Sequence, residues 1–88
     1  MALLDLLGRR WALRIIWELR EDTLSFRDVQ QRCGSISPSV LNQRLGELRE
    51  ASVIELMDPG GYRLTDQGVD LLYGLAPLDR WAKRWAAG

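Results

Sequence analysis

Ser39, Asn42, Gln43 and Arg44 place hydroxyl, carboxamide and guanidinium groups within one short segment. Such groups hydrogen-bond nucleic-acid bases at their edges: Asn and Gln match adenine, and Arg matches guanine or a phosphate. Leu41, Leu45 and Leu48 interleave with them at the spacing that gathers one apolar stripe on a helix, leaving Ser39, Asn42, Gln43 and Gly46 pointing largely away. Ser37 can cap the first free amides, and Pro38 fits the first helical position, where its missing donor costs nothing. The pattern predicts a recognition helix over 37–50. Arg44 lies at the edge of the stripe, where a phosphate contact or a structural ion pair fits as well as base readout does, so Gln43 and Ser39 rank first as base readers.

Catalysis has little to draw on. The chain has no His and one cysteine, Cys33, which removes the commonest general base and zinc ligand and excludes an internal disulfide. Glu21-Asp22, Glu47 and Glu50 show no paired geometry with a base and read as solvated charges. No enzyme, metal centre or cofactor is expected. Trp11, Trp17, Trp81 and Trp85 could form a ligand box or a stacking platform for single strands. Leu78, Trp81 and Trp85 recur at helical spacing, however, and read better as core and subunit contact.

The elements that must position the polar helix follow from local signals. Gly8 to Arg20 reads as one helix with apolar residues on two sides: Trp11, Ile15 and Leu19 together, Leu13 and Trp17 nearly opposite. Leu3, Leu4, Leu6 and Leu7 ahead of it are expected to be packed. Thr23-Leu24-Ser25 is a short extended link, and Ser25 caps a helix to about Cys33, with Asp28 in the box position and Phe26 and Val29 inward. Gly34-Ser35-Ile36 turns the chain into the polar helix. Two short helices joined by such a turn form a helix-turn-helix.

Val53 to Met57 and Tyr62 to Leu64 flank the turn Asp58-Pro59-Gly60-Gly61 and predict a small hairpin. Thr65 caps a further helix from Asp66 to about Tyr73, and Pro77 marks the start or kink of a last one through Trp85. The fold class is mainly α with a small β hairpin: a winged helix-turn-helix, with 1–88 as a single domain and 1–20 and 75–88 supplying terminal helices for dimerisation.

A domain of 88 residues buries only ~60–70% of the surface of its unfolded chain, so a partner subunit would help. Lys plus Arg and Asp plus Glu each number 12, and no global basic excess argues for nucleic acid. All but one of the cations are Arg, whose planar fork suits phosphate and guanine better than the Lys ammonium does. No apolar run approaches the ~18–20 residues needed to span a bilayer and no signal segment is apparent, so a cytoplasmic location without membrane attachment is expected.

Gly8-Arg9-Arg10-Trp11, Ser25-Phe26-Arg27-Asp28, Ile36-Ser37-Pro38, Leu41 through Leu48, Tyr62 through Gly68, and Trp81 together resemble the HxlR family of bacterial winged-helix transcription regulators. The resemblance runs through nearly the whole chain in order. It implies a homodimer that binds a palindromic operator and represses or activates a nearby gene, with the third helix in the major groove and wings at its flanks. Family members usually carry a basic residue where Ser39 and Gly46 stand here, and they have a wing loop several residues longer. Redox-responsive members carry a cysteine just before the first helix, whereas no cysteine precedes Cys33 here. Cys33 occupies a position that is apolar in the family and reads as a buried, inert thiol.

The expected partners are therefore double-stranded DNA and a second copy of the chain, with no pattern indicating a small-molecule effector. The DNA-binding candidates are Ser25, Arg27, Ser37, Ser39, Asn42, Gln43, Arg44 and Arg63. Ser25 and Ser37 are explained equally by capping and by phosphate contact at helix starts, and Arg63 by a backbone contact or a surface ion pair. The dimer candidates are Leu3, Leu4, Leu7, Leu13, Trp17, Leu78, Trp81 and Trp85. The competing function is a winged-helix interaction module without DNA binding, which the neutral charge, short wing, Glu47 and Glu50 would suit.

Overall fold

A computed structural model describes residues 3–88. Helix α1 (Leu3–Leu7) stops at Gly8, whose amide donates to the Leu4 carbonyl at 2.8 Å. The expected continuous helix from Gly8 to Arg20 is corrected here. A turn intervenes, and α2 spans only Ala12–Glu18, beginning after Trp11 in the left-handed conformation at φ 78°. That conformation costs a non-glycine residue roughly 1–2 kcal/mol. It sets the half-buried Trp11 side chain against the core, and this packing offsets the cost. The core face of α2 is Ala12, Ile15 and Ile16, while Leu13 and Trp17 stay exposed on the other side.

Leu24–Ser25, expected as a mere link, forms strand β1. It pairs antiparallel with Gly61–Leu64 (β3), which pairs in turn with Ile54–Met57 (β2), giving a sheet of order β1-β3-β2. Helix α3 (Phe26–Cys33) follows at once with the anticipated capping box: Ser25 Oγ accepts from the Asp28 amide, and the Asp28 carboxylate accepts from the Ser25 amide. Gly34, at φ 84°, ends α3 and turns the chain toward α4 (Pro38–Glu50). Two helices were expected after the wing. There is one, α5 (Asp66–Ala87), and it runs straight through Pro77. Pro77 and its neighbour Leu78 are exposed, so the carbonyl that loses its intrahelical donor at Tyr73 can turn to water instead of breaking the helix.

Ile15 and Ile16 of α2, Val29 and Cys33 of α3, Leu41, Leu45 and Leu48 of α4, and Leu24 and Ile54 of the sheet form one buried cluster. No polar or charged residue is buried with it among the described residues. The N-terminal leucines divide: Leu6 is buried and Leu7 half-buried against the core, whereas Leu3 and Leu4 are exposed, so the expectation that all four are packed is corrected. The short α1 turns Leu6 and Leu7 toward the core and leaves Leu3 and Leu4 exposed.

Candidate nucleic-acid interface

Helix α4 is anchored at its start, along its apolar stripe and at Arg44, and is open along its polar face. Its start is fixed by Ser37 Oγ, which accepts from the Val40 amide at 3.3 Å, and by Pro38 in the first turn. Its apolar stripe of Leu41, Leu45 and Leu48 is fully buried. Ser39, Asn42, Gln43, Gly46, Arg49 and Glu50 remain exposed. A column of hydroxyl and carboxamide groups, anchored by a rigid apolar back, is what direct readout of base edges requires. Ser39 reaches no further than Ser37 Oγ, 3.4 Å away.

Arg44 stands apart from that column. Its Nε donates to the Arg10 carbonyl at 2.9 Å, and its Nη1 lies 2.6 Å from Glu47 Oε1. Both side chains are only 15% exposed, and Arg9 Nε approaches the second Glu47 oxygen at 3.4 Å. Of the roles the sequence allowed for Arg44, base readout, phosphate contact or ion pair, the geometry supplies the ion pair. Glu47, expected as a solvated charge, is instead the centre of this network. Sequence reasoning missed it, although an Arg and a Glu three residues apart beside an apolar stripe are placed to pair.

The remaining candidates spread around this helix. Ser25 is half-buried and occupied in its capping box, while Arg27 is exposed at the start of α3 and has no ion-pair partner among the described residues. Arg63, on the wing, donates from Nη2 and Nε to Glu55 Oε1 at 2.9 and 3.2 Å. Arg14 braces the other side of the motif by donating to the Arg32 carbonyl at 2.9 Å, which ties α2 to the end of α3. Burial pushes the Cys33 thiol above its ordinary range, with the Arg14 charge opposing the shift.

The candidate contact residues for a second copy form a separate surface. Leu3, Leu4, Leu13, Trp17, Leu78, Trp81 and Trp85 are all exposed, and Leu7 alone of that set is half-buried in the monomer's own packing. Trp81 and Trp85 stack with ring centroids 5.9 Å apart. Between α2 and α5 lies an open groove of about 550 Å³, lined by Leu13, Trp17, Leu72, Leu75 and Leu78 among others.

The family model for the HxlR-like helix-turn-helix matches residues 6–88. The chain belongs to that family. The HxlR-like chain is 30% identical over 87 residues to the uncharacterized HTH-type transcriptional regulator YvaP of Bacillus subtilis, covering 92% of this chain and 81% of that one. It is 27% identical over 90 residues to the uncharacterized HTH-type transcriptional regulator MJ0925 of Methanocaldococcus jannaschii, covering 97% and 83%. Among solved structures, quinone-bound YodB from B. subtilis superimposes with a TM-score of 0.86 at 30% identity, over 92% of this chain and 90% of that one. A protein from Thermoplasma volcanium described as a possible HxlR family transcriptional factor shares the fold with a TM-score of 0.89 at 24% identity, over 100% and 84%. The HxlR-like chain is thus a winged helix-turn-helix of the transcriptional-regulator class, and its relatives are regulators, not enzymes. No helix among the described residues is long and apolar enough to cross a membrane.

Proposed function

We propose that this chain is a sequence-specific transcription regulator that binds a palindromic operator as a homodimer, with α4 in the major groove. The observation that carries this reading is the open polar face of α4, where Ser39, Asn42, Gln43 and Gly46 project from a helix whose other sides are fixed by a cap, a buried leucine stripe and the Arg44 network. Arg27 and the helix starts at Ser25 and Ser37 are suited to backbone phosphates flanking the bases.

Dimerisation is supported by the surface that the monomer leaves bare. Leu78, Trp81 and Trp85 are 55%, 52% and 72% exposed, an arrangement that costs a monomer both solubility and unburied apolar area. Selection of bound duplexes from a random pool with the purified full chain tests the whole reading. The expected outcome is an enriched inverted repeat. Failure to enrich any sequence, together with the absence of salt-dependent binding, would leave an interaction module as the function.

A further inference from the structure

The two flanks of α4 differ in charge. On the side of the turn between α1 and α2 stand Arg9, Arg10 and Arg44 against two carboxylates: Glu47, which meets Arg44 and Arg9, and Asp5, which lines a hollow with Arg9. Glu47 already receives Arg44 at 2.6 Å, so Arg9 at 3.4 Å is a second cation on a neutralised group. Its side chain is 48% exposed. Arg10 is exposed as well and engages no carboxylate among the described residues; its guanidinium carbon lies 5.5 Å from the centre of the Trp11 ring. On the opposite flank, Arg49, Glu50 and Glu55 line the groove between α4 and the wing. There Arg63 is committed to Glu55, and Asp58 adds another negative charge at the tip.

The position of the turn is fixed. The Arg44 bond to the Arg10 carbonyl, the left-handed Trp11 and the packing of the Trp11 side chain on the core hold Arg9 and Arg10 at a set place beside α4. Glu47 follows Gln43 by one helical turn on the same side, so Arg9, at Glu47, is adjacent to the column proposed to read bases. From these observations we infer that the Arg9-Arg10 turn is a site for duplex DNA phosphates, and that DNA is gripped from this side of α4 and not from the wing. The inference rests on the DNA-binding reading and adds to it a phosphate site.

Phosphate binding releases counterions, and each neutralised phosphate adds about −0.9 to the slope of log affinity against log salt. The test measures that slope for the full chain on a random-sequence duplex. Arg9→Gln and Arg10→Gln should each make it shallower by about 0.9 for every phosphate no longer neutralised, Arg9→Lys should preserve it, and Arg63→Gln should leave it at the parental value. Slopes equal to the parent's in both glutamine variants, with helical circular dichroism intact, overturn the inference; so does an Arg63→Gln effect as large as that of Arg9→Gln. A parent that shows no salt-dependent binding overturns the DNA-binding reading itself. A second measurement does not depend on the glutamine variants. A DNA-cleaving iron chelate attached at Arg9→Cys should cut strands beside bound duplex, and one at Arg63→Cys should cut weakly; the reverse pattern overturns the one-sided grip.

Discussion

Arg44 Nε donates to the carbonyl of Arg10 at 2.9 Å, across 34 positions of sequence. That bond fixes α4 against the turn preceding α2, and the Arg44 pair with Glu47 supports it from a half-buried position. Hydrogen bonds to charged groups contribute about 1.5–3 kcal/mol, and removing one partner leaves the other desolvated and unpaired.

Arg44→Ala should therefore lower stability by about 2–3 kcal/mol, read as a lower urea midpoint with an unchanged slope. Arg44→Lys should recover little of it, because an ammonium cannot reach the Arg10 carbonyl and the Glu47 carboxylate in the same planar geometry. An Arg44→Ala midpoint equal to the parent's would show that the leucine stripe holds α4 unaided.

Much of the positioning machinery was legible in the sequence because its causes are local. Ser25 with Asp28, Ser37 with Pro38, and Thr65 before α5 all cap the helices that their residue types announce. What could not be read was tertiary. Trp11 looks like a helix interior residue, and only its packing on the core makes a left-handed turn worthwhile there. Pro77 looks like a break, and only its exposed side of α5 makes it tolerable. Strand β1 consists of two residues whose partner, β3, comes more than thirty positions later. At the candidate site, the polar column was legible from spacing alone, whereas the commitments of Arg44, Glu47 and Arg63 depend on contacts between elements.

Two glycines of α5 should respond to alanine in opposite ways. A methyl group at Gly68 would collide with the Val53 carbonyl and press on Leu64, at the point where Thr65 ties the start of α5 to Val53, just ahead of β2. Gly68→Ala should cost about 1–3 kcal/mol or more, as overpacking does. Gly74 has open space around it, so Gly74→Ala should gain about 0.5–1 kcal/mol through helix propensity. Thermal unfolding followed by circular dichroism separates the two outcomes.

Cys33 should be silent in regulation and slow to react. Its thiol is buried, and burial raises its pKa against the opposing Arg14 charge. The neutral form is thus favoured at physiological pH, and thiolate is the reactive species. Because the folded-state value is raised, the stability linked to this proton is full below the thiol's ordinary range and is lost as pH rises through the shifted one. Alkylation by iodoacetamide at neutral pH should track unfolding, and Cys33→Ala should bind DNA equally before and after mild oxidation. Rapid labelling of the native protein would contradict this.

Light scattering at micromolar concentration should give the mass of two chains. Charge placed within the bare apolar surface, as in Trp81→Glu with Trp85→Glu, should shift the mass to one chain without loss of helical signal, since both residues are exposed in the monomer and charges are depleted at interface cores. A parent protein that stays monomeric removes the homodimer.

The DNA geometry then makes a joint prediction. A two-fold dimer should present its two copies of α4 to successive major grooves about 34–36 Å apart, so half-sites should lie one helical turn or a multiple apart and tolerate no other spacing. Gln43→Ala should relax preference at one position of each half-site, at about 1–3 kcal/mol against the preferred base. Arg27→Ala should weaken all sequences alike and flatten the salt slope, as removal of a phosphate-binding cation does. Gly46 is exposed, and a side chain built there meets nothing within 4 Å. Gly46→Arg should therefore fold and tighten binding to random duplex by adding a cation to the open face of α4. Competition assays across sequences give all three readings. If Gln43→Ala and Arg27→Ala both bind every sequence as the parent does, and Gly46→Arg adds nothing, then this face of α4 does not meet DNA.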